Sequence, residues 1–318
     1  MSTKRNVITF IAGLAAVAAF MMPALAETAP KKKAVATFSI LGDLVRNVGG
    51  DRIGLSVLVR PDGDSHVYSP SPADARALKD ADIVFENGLN FEGWMERLIN
   101  SSGTKARVVI ASDNVKAFEE EEDADHKHDT DKHAAHNHEH HHHTTDPHAW
   151  QSVPNVKIYI ANIRDGLIGA DPDGKEIYNA NASSYLASLE ALDTDIRKTV
   201  EAIPQEKRKI ITTHDAFGYF AQEYGLEFVA PQGVSSDTEA SARDVAGIIR
   251  QIRQENITAV FVENISDPRL MERIAKETGV RVGERVYSDS LSSADGPAGT
   301  YLDMMRHNLK AFAAALAK

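Results

Sequence analysis

The chain has no cysteine among its 318 residues. Disulfides are thereby excluded as staples and thiolate as a metal ligand, so any metal would have to be held by imidazole and carboxylate. Acylation of a leader cysteine, the usual lipoprotein anchor, is excluded as well. Positive charge is also in deficit, with 35 Lys and Arg against 46 Asp and Glu and a net charge of −11. An acidic chain is a poor partner for nucleic acid or an anionic membrane. Catalytic signatures are missing too: there is no H-E-x-x-H, and no G-x-S-x-G elbow with a free Ser-His-Asp set. Residues 169–175 (GADPDGK) imitate a phosphate loop, but Glu176 replaces the needed hydroxyl and no strand precedes it, so the stretch reads as a turn between helices.

Long apolar runs are confined to the start. Lys4 and Arg5 precede a nearly continuous apolar stretch from Val7 to Met22, and Ala24-Leu25-Ala26 supplies an A-x-A cleavage site. Residues 1–26 therefore read as a signal peptide, too short and wrongly flanked for a membrane span. The expected product is a periplasmic protein starting near Glu27, with a net charge of about −13. The roughly 290 residues that remain exceed one typical domain and suggest two.

Histidine is what the chain has in excess. An acidic run, Glu119-Glu120-Glu121-Glu122-Asp123, leads into nine histidines: His126, His128, His133, His136, His138, His140, His141, His142 and His143. A purification tag or a merely solvated loop is the plainer reading of such a tract. This one is internal and interrupted by Lys127, Asp129, Lys132 and Glu139, unlike a tag. Imidazoles among carboxylates suit divalent metals, so it reads as an auxiliary, low-affinity metal collector. It has no apolar periodicity, and 117–145 is expected to be a disordered insert in the absence of metal.

Around the insert, short apolar runs alternate with helical periodicity. Strand-like segments at 34–38, 53–59, 82–85 and 107–110 are separated by helical patterns at 41–48, 72–79 and 91–99. Ser71 before Pro72 is a helix-start signal. A helix is expected over 154–169 and a second, long one over 173–202, where Tyr185, Leu189, Leu192, Ile196 and Val200 recur at helical spacing. The alternation then resumes, with strands at 209–213, 226–229, 258–262 and 280–286 and helices at 217–224, 241–254, 268–278 and 299–316. The predicted fold class is α/β: two lobes, 27–172 and 203–318, with parallel-type sheets, joined by the 173–202 helix acting as a strut.

Four histidines lie outside the tract. His66 follows the strand ending at Val59, His214 directly follows Thr213, and His148 sits in the loop Asp146-Pro147-His148-Ala149-Trp150. Asp289, in Tyr287-Ser288-Asp289-Ser290-Leu291, follows the last strand. Open α/β sheets bind ligands beyond the carboxyl ends of their strands, so a cleft between lobes can gather these four groups. Three imidazoles and a carboxylate make a closed tetrahedral set for zinc, with no open position for a catalytic water. Each histidine taken singly is more often an ordinary surface residue, and spacing alone leaves that reading open. His307, on the terminal helix, reads as structural or solvent-facing. Asp146 and Asp215 are the candidates to orient the neighbouring rings.

The segments Gly63-Asp64-Ser65-His66-Val67-Tyr68-Ser69-Pro70-Ser71-Pro72, Asp146 to Trp150, Thr213-His214-Asp215-Ala216-Phe217-Gly218-Tyr219-Phe220 and Tyr287 to Leu291 resemble, in order, the motifs of periplasmic metal-specific solute-binding proteins of ABC importers, most of all the zinc-binding ZnuA and AztC-like members. The resemblance implies two α/β lobes on a rigid helix, metal in the cleft, and ligand roles for His66, His148, His214 and Asp289. It implies Zn(2+) capture and delivery to a membrane permease, with a periplasmic metallochaperone as a further candidate partner. It also implies a monomer that is no enzyme and binds no nucleic acid. Manganese-specific relatives tend to carry a carboxylate where this chain has His214. A manganese-binding member of the same family is the alternative, followed by an extracytoplasmic zinc buffer or adhesin and, last, a zinc metalloenzyme. Ala240 stands where the family often has proline.

Overall fold

The β-branched runs of the first half pair as a parallel sheet because a helical crossover between successive strands returns the chain to run in the same direction. In the computed structural model, which describes residues 30–120, 144–237 and 239–316, strand β1 (Lys32–Phe38) leads into helix α1 (Ser39–Gly49) and strand β2 (Ile53–Val59). Helix α2 (Pro72–Lys79), β3 (Ile83–Glu86), α3 (Met95–Ser102) and β4 (Arg107–Ile110) follow. The strand order is β2-β1-β3-β4, all parallel. Ser71 caps α2, its side chain accepting from the Asp74 amide while the Asp74 carboxylate accepts from the Ser71 amide, with Pro72 in the first turn. Helix α3 starts later than its periodicity suggested. Gly88, Leu89 and Asn90, just before the expected start, are all left-handed, with φ of 84°, 52° and 63°, and residues 91–94 remain non-helical, with a turn at 93–94, so the helix begins only at Met95.

The insert is flanked by structure. Segment β5 (Phe118–Glu120) pairs antiparallel with β6 (Thr144–Asp146), in the register Phe118↔Asp146 and Glu120↔Thr144. The expectation of disorder through 117–145 is thus corrected at both ends. The pairing is anchored by Tyr219, whose hydroxyl accepts from the Phe118 amide at 2.9 Å and donates to the Asp146 carbonyl at 3.2 Å. Residues 1–26, read as a signal peptide, and all nine tract histidines lie outside the described residues.

Helix α4 (Val153–Ala170) and α5 (Lys175–Glu201) meet across a short turn over Pro172–Gly174. The 27 residues of α5 span roughly 40 Å. One stripe of it, Tyr178, Ala182, Tyr185, Leu189, Leu192, Ile196 and Val200, is buried. The second sheet consists of β7 (Lys209–Ile211), β8 (Glu227–Val229), β9 (Ala259–Val260) and β10 (Arg281–Val282), in the parallel order β10-β9-β7-β8. Between them lie α6 (Gly218–Tyr224), α7 (Ala242–Glu255) and α8 (Arg269–Thr278), and α9 (Tyr301–Leu316) closes the described chain.

The expected strand over 280–286 is only two residues long, and the remaining pairing is a single bridge between Glu263 and Val286. No helix among the described residues is long and apolar enough to cross a membrane. The fold is two parallel-sheet α/β lobes, with α5 packed along both. One apolar cluster runs from Val35 and Phe85 of the first sheet through Leu189 and Leu192 of α5 to Ile210, Phe261 and Phe312 of the second lobe.

Candidate metal centre

Each ligand-type side chain sits where a strand or strap stops and the backbone turns. After β2, the chain folds at Asp62, with φ 59°, and the Asp64 carboxylate accepts from the His66 amide at 2.9 Å, presenting the His66 ring to the cleft. At the end of β6, Asp146 Oδ1 accepts from the His148 amide at 2.8 Å and lies 2.7 Å from His148 Nδ1. His214 stands three residues beyond β7, bridged to Gln232. Asp289 lies in the strap 287–292, which belongs to the second lobe by sequence but is held by groups of the first. The Ser288 carbonyl accepts from Trp150 Nε1 at 2.9 Å and Gln151 Nε2 at 2.8 Å, and the Leu291 amide donates to Ser39 Oγ at 2.9 Å.

These four residues converge. One donor atom from each of His66, His148, His214 and Asp289 lies within 4.8 Å of every other. Asp289 Oδ2 is 3.0 Å from His66 Nε2 and 3.2 Å from His214 Nε2, and its Oδ1 is 3.4 Å from His148 Nε2. The Asp289, His148 and His214 side chains are wholly buried, while that of His66 is 6% exposed and marks the solvent side. The Phe91 ring packs 5.0 Å from His66, and the Trp150 ring 5.2 Å from His148, walling the site from water. His148 Nε2, His214 Nε2 and Asp289 Oδ1 have no hydrogen-bond partner among the described residues. Buried polar atoms left in this state are costly unless something shared completes them, and a divalent cation at their common focus does so.

The electrostatics agree with that geometry. Burial alone would push the His148 pKa down, but the Asp289 charge and the Asp146 contact outweigh it and hold the imidazole at about 9. Burial likewise opposes charge on His214, and the carboxylates of Glu263 and Asp289 raise its pKa well above the ordinary value. Asp289 is pushed up by burial but held far below the usual carboxylate range by the charges of His148 and His214. Without metal, protons on the imidazoles supply the positive charge that Asp289 requires. A cation entering the focus displaces them.

His66, His148, His214 and Asp289 are all brought together, as expected. His307 is not among them: its Nε2 lies 2.8 Å from the Arg285 carbonyl and its ring packs on Tyr287. Asp146 occupies the orienting position foreseen for it. The group found on His214 Nδ1, however, is Glu263 rather than the sequence neighbour Asp215. Glu263 Oε2 lies 2.5 Å from Nδ1, and its Oε1 accepts from the amides of Thr213 at 2.8 Å and His214 at 2.9 Å. It is wholly buried. The only signal for it in the sequence was a charge ending an otherwise apolar strand, Ala259-Val260-Phe261-Val262-Glu263. Gly218 makes room for Asp146, since a Cβ there would stand 2.6 Å from Asp146 Oδ2 and 3.2 Å from the Phe118 ring.

Comparison with known proteins agrees in both sequence and shape. Residues 34–315 match the family described as ZnuA, zinc-uptake complex component A, periplasmic. The manganese-binding lipoprotein MntA of Halalkalibacterium halodurans is 34% identical over 286 residues, covering 90% of this chain and 89% of that one. The iron-binding protein YfeA of Yersinia pestis is 32% identical, covering 88% and 84%. Among solved structures, the periplasmic zinc-binding protein TroA of Treponema pallidum superposes with a TM-score of 0.79 at 28% identity, covering 91% of this chain and 100% of that one. The Mn-bound periplasmic metal-binding protein of Candidatus Liberibacter asiaticus gives 0.77 at 28% identity, covering 90% and 100%. With its two lobes, its buried three-histidine, one-carboxylate focus and a match over nearly its whole folded length, the chain belongs to the ZnuA family of periplasmic metal-binding, substrate-binding proteins of ABC transporters, and it is a transport protein and not an enzyme.

Proposed function

We propose that this protein captures Zn(2+) outside the cytoplasm and carries it to the membrane permease of an ABC importer, with His66, His148, His214 and Asp289 as the four ligands. The observation that carries the reading is the donor set itself: three imidazole nitrogens and one carboxylate, mutually within 4.8 Å and shut away from solvent. Zinc accepts such a set in tetrahedral form, whereas manganese prefers more oxygen donors. Asp146 and Glu263, each on an Nδ1, keep the proton there and leave Nε2 free to coordinate.

Manganese is the second reading, because the relatives MntA and YfeA are named for manganese and iron. The nine tract histidines, His126 to His143, are assigned the role of an auxiliary, weaker collector. The deciding experiment is competition. Metal-stripped protein is equilibrated with equimolar zinc, manganese and ferrous iron, separated from free metal, and analysed for content, with His214→Ala alongside. Zinc should occupy one tight site and be lost from that site in the variant. Preferential retention of manganese or iron would overturn the zinc assignment.

A further inference from the structure

Next to the four-residue focus lies an open hollow of about 500 Å³. Asp64 and Ser236 line it, as do Thr213 and Gln232 beside His214, and Arg269 and Arg273 from helix α8. A hydrogen bond of 2.5 Å from Ser236 Oγ to Asp64 Oδ2 ties the two lobes at its edge. The volume lies within the range of small-molecule sites, roughly 300–1,000 Å³, and a bare cation needs far less.

The lining carries both signs of charge. Carboxylates of Asp64, Glu239 and Asp267 face it together with the two guanidinium groups. On a route used only by a naked divalent cation, two arginines lower the local concentration of the traveller. For a cation wrapped in an anionic ligand they are the recognition element, because a guanidinium matches a carboxylate through two parallel hydrogen bonds. Their present partners are weak competitors. Arg269 pairs with Asp267 and Arg273 with Glu277, with the arginine side chains 86% and 73% exposed. Exposed pairs of this kind contribute little and exchange readily.

A second observation points to a ligand. Thr213 is 3% exposed and lines the hollow, and its Oγ1 has no hydrogen-bond partner among the described residues. A buried hydroxyl left unpaired is unfavourable, and an oxygen or nitrogen of a guest relieves it. The residue that follows it is His214.

We infer that the hollow docks a small carboxylate-bearing complex of the metal. Arg269 and Arg273 hold the carboxylate oxygens of the carrier, Thr213 meets an inner polar atom, and the cation passes to His66 and His214 by ligand exchange. Each metal–oxygen bond to the carrier that breaks is matched by a metal–nitrogen bond to imidazole or a metal–oxygen bond to Asp289. The protons displaced from the imidazoles go to solvent, the carrier leaves as its carboxylate, and nothing is oxidised or reduced. This inference rests on the metal reading above.

The test follows loading of the metal-free mature chain by fluorescence, with Trp150 as reporter because its ring lies 5.2 Å from that of His148. Zinc is supplied either as the aqua ion or as zinc citrate. The double variant Arg269→Ala/Arg273→Ala should load from zinc citrate about tenfold more slowly than wild type, while loading from the aqua ion is no slower and the final affinity is unchanged. A control, Arg306→Ala/Lys310→Ala on α9, removes the same charge elsewhere and should leave both rates unchanged. The docking site is refuted if the α8 variant loads from citrate at the wild-type rate, is slowed equally from both donors, or is matched by the α9 control. If wild type gives no response to either donor, the metal reading itself fails and the docking site falls with it.

Discussion

At the scale of single residues, the centre is a set of charges waiting for a cation. With its pKa at about 9, His148 carries a proton through neutral pH, and that proton competes with metal. Zinc affinity should therefore climb with pH up to about 9 and flatten above it, which competition titrations with a buffered indicator would measure; a flat profile between pH 7 and 9 would refute the assignment. The sign for stability is opposite. A histidine whose pKa is raised in the folded state stabilises the metal-free protein fully below about 6.5 and loses that contribution as pH rises through about 9. The metal-free melting temperature should fall over this window while that of the loaded protein holds level. Glu263 offers a sharper test of positioning. In Glu263→Gln, one amide oxygen can still accept from the Thr213 and His214 amides, but the amide NH₂ then faces Nδ1 and drives the imidazole proton to Nε2, where the metal belongs. Affinity should drop on the order of 10–100-fold with little change in melting temperature, as read by competition titration; an unchanged affinity would remove Glu263 from the centre. The four converging residues were legible because each follows a strand or turn signal in the sequence. Glu263 was not, because it reaches His214 from 49 residues away and Asp215 offered a nearer carboxylate.

Among the elements, the β5–β6 pair has the most consequence. It ends at Asp146, which orients His148, so the base of the His-rich insert and the centre share one carboxylate. Removing residues 121–143 and joining the strands by a short turn should abolish the additional weak zinc sites and leave one tight site, as counted by calorimetric titration. Loss of the tight site would show that the tract and the cleft are not separable. Tyr219→Phe tests the anchor of the pair. It deprives the Phe118 amide of its acceptor and the Asp146 carbonyl of its donor, and should cost about 1–3 kcal/mol in denaturant unfolding, with faster hydrogen exchange at Phe118. The parallel strands and most helices were readable from periodicity because each buries a face wide enough to pattern the chain. The β5–β6 pair was not. Three residues on either side of a 23-residue polar gap carry no periodic signal, and what stabilises them is a tyrosine on another element. The left-handed run at Gly88 to Asn90, which precedes the turn into α3, was equally hidden, since Leu89 in its middle gives no sign of that conformation.

For the molecule as a whole, the question is whether the lobes move when metal arrives. The repetition of strand and helix on either side of 173–202 made two lobes legible, but not how thoroughly they are fused. Three features argue against a hinge. Helix α5 buries one stripe along its entire length, where a flexible linker would bury little. The apolar cluster passes without interruption from the first sheet through α5 to the second, so opening the lobes would expose core surface. The strap carrying Asp289 is bonded to Ser39, Trp150 and Gln151 of the opposite lobe, and Tyr301 on α9 donates to the Trp150 carbonyl at 2.8 Å. A domain closure would have to break these buried bonds together, each costly once unpaired. Metal binding is therefore expected to act locally, by exchanging protons for a cation at the focus and tightening the loops at 63–66 and 231–237. Small-angle scattering on residues 27–318 lacking 121–143 should show a change of a few tenths of an ångström at most on loading, against a radius of gyration of about 18 Å for a folded chain of this size. A compaction beyond about 1 Å would mean that the lobes close on the metal as a hinge does, and that the shared core yields more readily than its burial implies.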